Sequence, residues 1–379
     1  MNFELTDEQK LIRDNVYDFA QNEIAPGATE RDKTGEIPLD IISKMGEMGL
    51  MGLPIAEQYG GAGADSISYL LATEEISRAC ASLGLTYDAH IALGMAPIYY
   101  FGTEEQKNRY LPELCSGQYL GSMGLTEPEA GTDSGNTKTT AVPDGDGWVI
   151  NGSKCFITNS RYSRVVTVTA ITDKGKGTRG ISTFLVPVSA PGFDIISGYE
   201  KLGMNSSNTN ELIFDNVRVP GENLLGPLNN GFRQLMKVLD GGRLAVAAIC
   251  VGIAQACLDA SVKYARERVQ FGQSISKFQA IQFKLADMKM NIEVGRNMYL
   301  KGGWLKDSAR PYTQEAAIAK LFCSEMATRA ALEAIQIHGG YGYIKEFPVE
   351  RYLRDAKLLE IGEGTSEVQR ILIARGLGL

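Results

Sequence analysis

Trp148-Val149-Ile150-Asn151-Gly152-Ser153-Lys154-Cys155-Phe156-Ile157-Thr158 marks the place where this chain stops reading as helix and starts reading as strand. β-Branched and aromatic residues crowd both sides of an Asn-Gly dipeptide, the pair best suited to the positive φ angles of a tight hairpin turn. The stretch is therefore read as two strands that reverse at Asn151-Gly152. Runs of the same kind follow at Val165 to Ala170, Ile181 to Val186 and Glu211 to Phe214. Short strands at such spacing, with turn residues between them, predict a small β-barrel or sandwich over residues 123–228.

Working outward, both flanks change period. Upstream, Leu11, Ile12, Val16, Phe19 and Ala20 recur on one helical face behind a Thr6/Gln9 capping box. Further helices are expected from Pro38 to Met48, through Leu70 to Ala79, and from Thr103 to Leu114, which makes residues 1–122 an all-α domain. Downstream, long apolar stripes run from Gly231 to Arg268, Lys277 to Lys306 and Pro311 to His338, with a last pair either side of Glu363. These fit a four-helix bundle over residues 229–379. The predicted fold is multi-domain α+β: an N-terminal α-helical domain, a central β-barrel domain and a C-terminal helical bundle.

Composition removes several function classes. A net charge of −7 and a pI near 5.2 oppose non-specific nucleic-acid binding, which needs a basic surface. The six cysteines are scattered without a C-x-x-C pair and there are only two histidines, so no zinc site is expected. Dispersed thiols in a chain this long read as reduced and buried, which points to the cytoplasm. The first eight residues are acidic and lack an apolar leader core, and no run approaching a membrane span is read. Gly175-Lys176-Gly177-Thr178-Arg179-Gly180 matches G-x-G-x-x-G, but a dinucleotide fingerprint must open a helix and here a strand follows, so the match is read as a hairpin turn. His338 and His90 are read as capping or packing residues.

Ile361-Gly362-Glu363-Gly364-Thr365-Ser366-Glu367 is the sharpest chemical signal. Glycines either side of Glu363 remove bulk and relax the backbone, while Ser366 and Gln369 have capping-box spacing for a following helix. Taken alone, the stretch describes either an ordinary loop glutamate or a carboxylate presented into open space.

Thr126-Glu127-Pro128-Glu129-Ala130-Gly131-Thr132-Asp133 resembles the T-E-P-x-A-G-[ST]-D signature of the acyl-CoA dehydrogenases. The resemblance runs the length of the chain through Tyr59-Gly60-Gly61, Ile157-Thr158-Asn159, Arg268-x-x-Phe271-Gly272, Gln336-x-x-Gly339-Gly340, Arg354-Asp355-Ala356 and the stretch at Glu363. Singly these segments are common; in this order and spacing they are specific. The resemblance implies FAD held between barrel and bundle, and α,β-dehydrogenation of an acyl-CoA thioester. It gives Glu363 the role of proton-abstracting base, and Thr126, Thr132, Phe156 and Thr158 contacts to the flavin. It places Arg268, Phe271, Gln336 and Gly340 on the adenosine diphosphate half of a neighbouring subunit's cofactor, which implies a homotetramer or at least a dimer. Thr365, at a helix start, suits a phosphate. Arg243 lies beside the base and the thioester pocket, and Gly242 occupies the position from which a subgroup presents its base instead.

Three departures bear on substrate. Phe156 replaces a common tryptophan, Asn205 an arginine, and Gly362 a tyrosine. Gly362 widens the pocket near the reacting carbons, so a branched or cyclic acyl group is admitted as readily as a short straight one. Asp88, in Leu85-Thr86-Tyr87-Asp88-Ala89-His90, replaces a glycine of isovaleryl-type enzymes. It is either a substrate-pocket residue or a helix-end or surface aspartate. The expected electron acceptor is electron-transferring flavoprotein. An acyl-CoA oxidase is the alternative, and a DNA-associated flavoprotein is opposed by the acidic balance. Glutaryl-type decarboxylation is disfavoured because no arginine lies between Arg78 and Arg109.

Overall fold

The computed structural model describes residues 4–379. The first part holds helices α1 (Asp7–Phe19), α2 (Ala28–Thr34), α3 (Leu39–Glu47), α4 (Ser66–Ala79), α5 (Ala81–Asp88), α6 (Ala96–Phe101) and α7 (Glu104–Cys115). The Thr6/Gln9 capping box forms as predicted, and Thr103/Gln106 makes a second one at the start of α7. Between α5 and α6 the chain widens into a π-helical turn, Ala89–Met95. Insertions of this kind cost backbone hydrogen-bond geometry and gather at functional sites.

The central strands are β1 (Met123–Gly124), β2 (Thr140–Asp144), β3 (Gly147–Thr158), β4 (Val165–Ile171), β5 (Ile181–Pro187), β6 (Phe193–Ser197) and β7 (Thr209–Pro220). Their ladder runs β1-β4-β2-β3-β7-β6, with β5 on the free side of β4. Residues from both ends of this path, Phe193 and Phe214 at one and Val166 and Phe184 at the other, share one apolar cluster. The sheet therefore curls around its core as a barrel does, although no ladder joins β5 to β6.

One local expectation fails. Asn151-Gly152 is not a turn but the middle of β3, where the register with β7 slips between Ile150 and Gly152. The chain reverses instead at Asp144-Gly145-Asp146-Gly147, where Asp144 pairs Gly147 and Gly145 has φ 61°. The glycine at 152 serves close approach: a Cβ there would lie 2.5 Å from Thr139 Oγ1. The Gly175–Gly180 match is, as read, part of the β4–β5 connection.

The last part contains α8 (Gly231–Glu267), the two-stranded ribbon β8 (Val269–Gln270) and β9 (Gln273–Ser274), then α9 (Gln279–Asp307), α10 (Thr313–His338), α11 (Val349–Leu358) and α12 (Ser366–Gly376). α8 is the axis of the molecule, packed by α9 and α10 on one side and by α4 and α5 on the other. Its run Leu244 to Ile253 is buried throughout. Among the described residues α8 is the one helix long and apolar enough to cross a membrane, a match the sequence reading missed; most of it is buried within the protein. An apolar helix wrapped on all sides is the ordinary core solution.

A fully buried ion pair sets the loop after β1. Lys154 Nζ, on β3, donates to Glu127 Oε1 at 2.7 Å and to Leu125 O and Thr169 Oγ1, both at 3.1 Å. Glu127 also accepts from Thr137 and from the Lys138 and Thr139 amides. Burial opposes ionisation of Glu127, but the ammonium and these donors overcome it and hold the carboxyl at about 2. Burial pushes Lys154 down to about 8, so both partners are charged at neutral pH. Removing one partner leaves an uncompensated buried charge, so Glu127→Gln should destabilise the protein by about 3–5 kcal/mol in denaturant unfolding. The double change Glu127→Leu with Lys154→Met should recover much of that loss.

Candidate active site

Glu363 sits on the turn between α11 and α12 with φ 54°, a left-handed conformation unusual for a residue with a side chain. The flanking glycines were expected to relieve the backbone. Gly364 does so at φ 96°, but Gly362 lies outside the left-handed region and the glutamate carries the strain itself. The Gly362 amide bonds Leu358 O at 2.8 Å and Ser366 N bonds Glu360 O at 3.0 Å, so the turn is tied at both ends. No hydrogen bond within the described residues uses the Glu363 amide, which leaves that donor free beside its own carboxylate. The cap falls one residue before the predicted Ser366: Thr365 is the N-cap of α12, accepting from Val368 N at 3.3 Å. Gln369 turns back to the carbonyls of Glu363 and Gly364 rather than closing a box with Ser366.

The carboxylate reaches into a space made by α8. A Cβ built at Gly242 would lie 2.1 Å from Glu363 Oε2 and 3.1 Å from its Cδ. Sequence reading had given Gly242 only a negative role, as a position without a base. In the folded chain it is the hole that receives the Glu363 carboxylate. Arg243, the next residue, is buried, pairs Asp240 at 2.6 Å and keeps its Nε without a partner.

Asp88 lies against Glu363 from the opposite side. It ends α5 but is not a surface residue: it is wholly buried, and Tyr69 OH on α4 donates to its Oδ1 at 3.1 Å. Asp88 Oδ2 and Glu363 Oε2 are both buried without a fixed partner. Burial, then the neighbouring Glu363 charge, push Asp88 well above the carboxylate range. Burial also raises Glu363, while the adjoining Asp88 carboxyl and the charges of Lys320 and Arg243 oppose the rise. Two carboxyl groups so placed cannot both be charged at low cost.

The residues expected near a flavin ring form a second group. The Cys155 amide bonds Thr126 O at 2.9 Å, which sets the Thr126–Thr132 loop against the end of β3. The period-two expectation for Phe156 and Thr158 does not hold, because β3 bulges between Lys154 and Ile157. Phe156 adopts φ 58°, is 63 % exposed and packs on Tyr199 at 4.9 Å between ring centres. Next along the chain, Asn159 Nδ2 donates to Thr86 O at 3.0 Å and Gly121 O at 3.3 Å. Thr86 is two residues before Asp88, so the exposed Phe156 surface is anchored to the helix that faces Glu363.

Arg268, Phe271 and Gly340 lie elsewhere. They line a cavity of about 540 Å³ with Tyr264, His338 and Tyr341, at the far ends of α8 and α10. Gln336 is exposed on α10 outside that lining. His338 packs face to face on Tyr264 at 4.3 Å and bonds Ala334 O, and His90 bridges Met51 O and the Gly121 amide; both are structural, as read. Gly242 and Arg268 are 26 positions apart on one helix, about 39 Å at ~1.5 Å per residue.

Asn205 and the Arg354-Asp355 pair act as joints. Asp355 accepts the Met204 amide at 2.5 Å, Arg354 forks onto Asp32, and Asn205 Nδ2 donates to the same Asp32 carboxylate at 2.9 Å. That contact ties the central sheet to both helical parts. No group of acidic, histidine or cysteine side chains suited to a metal ion occurs among the described residues.

Family models for the acyl-CoA dehydrogenase N-terminal, middle and C-terminal domains match residues 6–118, 122–217 and 229–378. A Bacillus subtilis protein described as a probable acyl-CoA dehydrogenase is 61 % identical, with 100 % of each chain covered. The structure of butyryl-CoA dehydrogenase from Megasphaera elsdenii superposes with a TM-score of 0.98 at 44 % identity, again over 100 % of both chains. A chain from the electron transferring flavoprotein study of Acidaminococcus fermentans matches with a TM-score of 0.98 at 47 % identity, covering 100 % of this chain and 99 % of that one. The protein belongs to the acyl-CoA dehydrogenases, a family of FAD-dependent oxidoreductases.

Because the clash at Gly242 falls on the movable end of the Glu363 side chain, a methyl there should displace the base while sparing the fold. Gly242→Ala is expected to keep its melting temperature within a few degrees and to lose on the order of 100-fold in kcat, the effect of misplacing a reacting group by about an ångström. Paired melting curves and steady-state assays measure both.

Proposed function

We propose that this protein removes hydrogen from Cα and Cβ of a short acyl-CoA thioester, with Glu363 as the general base. The observation that carries the reading is the Glu363 carboxylate itself: held over Gly242, backed by Arg243, and with one buried oxygen free of any partner. A thioester α-proton is weakly acidic, so the site must supply both a base and stabilisation of enolate-like charge. The free Glu363 amide can donate to the thioester oxygen, an oxyanion-type contact aimed where charge develops. Expulsion of water by the acyl chain strengthens each of these interactions.

The exposed Phe156 ring, next to the strand residue whose amide ties down Thr126, fits a flavin, since an aromatic of that size is rarely left uncovered. When bound there, FAD supplies the acceptor for the hydride leaving Cβ. Arg268, Phe271, Gln336, Gly340 and Thr365 are proposed to contact the diphosphate and adenosine portion of the cofactor. The separation along α8 supports assigning Arg268 and Phe271 to a neighbouring subunit's cofactor, and Phe271, 94 % exposed, then gains a partner surface. A homotetramer that passes electrons to electron-transferring flavoprotein is the assembly this favours. The six unpaired, buried cysteines suit a cytoplasmic setting.

Substrate shape rests on Gly362 and Asp88. A Cβ at Gly362 would meet only Leu358 O, at 3.6 Å, so neither sterics nor backbone demands a glycine there. The missing side chain at Gly362 leaves room beside the base for a short acyl group, including a branched or cyclic one. Neutral Asp88 adds a hydrogen-bond donor next to Glu363.

Butyryl-, isobutyryl-, isovaleryl- and cyclohexanecarboxyl-CoA offered to the holoenzyme should bleach the flavin absorbance with at least one, and Glu363→Gln should abolish that response. Silence with every thioester would sink the assignment. Peroxide production without an added acceptor would point to an oxidase instead. Because Glu363 is raised by burial, kcat/KM should fall on acidification through a limb above the ordinary carboxylate range. Asp88→Leu removes the donor that favours the Glu363 carboxylate, so the limb should move to higher pH, whereas Asp88→Asn, which keeps an N–H donor, should move it less. A pH–rate series on the two variants reads this directly.

A further inference from the structure

Lys320, on α10, is among the most deeply buried side chains of the protein, with no exposed surface. Its Nζ donates to Gly364 O at 2.7 Å, and Gln369 Nε2 on α12 donates to the same oxygen at 2.8 Å. Two donors from two helices thus converge on the one carbonyl that follows the strained glutamate. An uncharged amide would satisfy that carbonyl equally well, as Gln369 does. A buried ammonium is a costly way to make one hydrogen bond unless its charge has a further use.

The groups around it indicate that use. Cys250 and Arg243 face Lys320 from α8, and Glu360 and Glu363 face it from the turn after α11. Glu360 is already engaged by Thr328 and Lys357, which leaves Glu363 as the carboxylate without an ion partner of its own. Glu363 is faced in turn by Asp88 from α5, by Arg243 from α8 and by Lys320 from α10, with Tyr69 of α4 behind Asp88. Arg243 is held by Asp240, so its charge is partly spent.

We propose that Lys320 is a positioning residue for the active site: its ammonium grips the Gly364 carbonyl from behind the turn, fixing Glu363 in its left-handed conformation, and sets a positive charge beside that carboxylate. The hydrogen bond serves geometry and the charge serves basicity, a division that a neutral residue at 320 cannot reproduce. Burial lowers Lys320 to about 8, which supports a further consequence. Above that pH the charge is lost, so activity should decline on an alkaline limb belonging to Lys320, with Glu363 still deprotonated.

The inference rests on the role proposed for Glu363, and its test is chosen to stand apart from turnover. The Glu363 carboxyl can be titrated by difference infrared spectroscopy of the holoenzyme, with its band assigned by E363Q. In Lys320→Gln, which keeps a donor and loses the charge, the Glu363 titration should shift upward by about 1 pH unit, the lower end of the effect of one nearby opposite charge. Lys320→Arg should keep the wild-type titration. In assays, Lys320→Gln should lower kcat at neutral pH, leave KM nearly unchanged and abolish the alkaline limb. An unshifted Glu363 band in Lys320→Gln, with loss of melting temperature alone, overturns the proposal and makes Lys320 a purely structural tie. If the band shifts as expected while no acyl-CoA is turned over, the positioning inference stands and the proposed reaction fails.

Discussion

The carboxylate of Glu363 needs the space that a side chain on α8 would fill, and much of the architecture around it follows from meeting that need. The carboxyl must be dry enough to act as a base, yet it must keep an oxygen unbonded. A left-handed backbone at Glu363, a missing Cβ at Gly242 and a buried Asp88 whose carboxyl resists ionisation together satisfy both demands. Each belongs to a different part of the chain. α8 can serve as the floor because its run from Leu244 to Ile253 is gripped by helices on both sides and cannot drift.

Buried charge is the second theme. Lys154 and Lys320 are both inaccessible to solvent, but they do opposite kinds of work. Lys154 is saturated by Glu127, Leu125 O and Thr169, so it locks a loop and has nothing left to give. Lys320 has one carbonyl within reach and a carboxylate beyond it. A buried ion pair that is complete builds structure. A buried ion left incomplete projects its field, and it does so most strongly where water is excluded. Glu127 illustrates how a family signature can mislead: it stands in the middle of the Thr126–Asp133 motif, yet its carboxylate faces inward and orders the loop instead of touching a ligand.

Much of the fold was legible in advance because long helices advertise themselves by period and caps. Thr6/Gln9, the stop at Gly49 and the three long helices of the bundle all appear within a residue or two of expectation. The strands were harder. Asn151-Gly152 carried the stronger local turn signal, but Asp144-Gly145-Asp146-Gly147, centred six residues earlier, took the reversal, and β3 ran on through the dipeptide as a bulge. Glycine supports either outcome, and only the neighbouring strand, pressing Thr139 against position 152, decides between them. The bulge at Phe156 escaped notice for the same reason, since register slips are properties of a pair of strands rather than of one.

The sequence by itself determined the class of protein, the three-part layout, and Glu363 as the residue to watch, because these depend on periodicity and on motifs carried in a single line of residues. What Gly242, Asp88 and Lys320 do was decided by the tertiary structure alone. None of them has a local signal: a glycine in a helix, an aspartate at a helix end and a lysine on an amphipathic stripe are ordinary in isolation. They acquire function because α5, α8 and α10, far apart in the chain, converge on one carboxylate in a dry interior, where a missing methyl group, a shared proton and an uncompensated ammonium each change what that carboxylate can do.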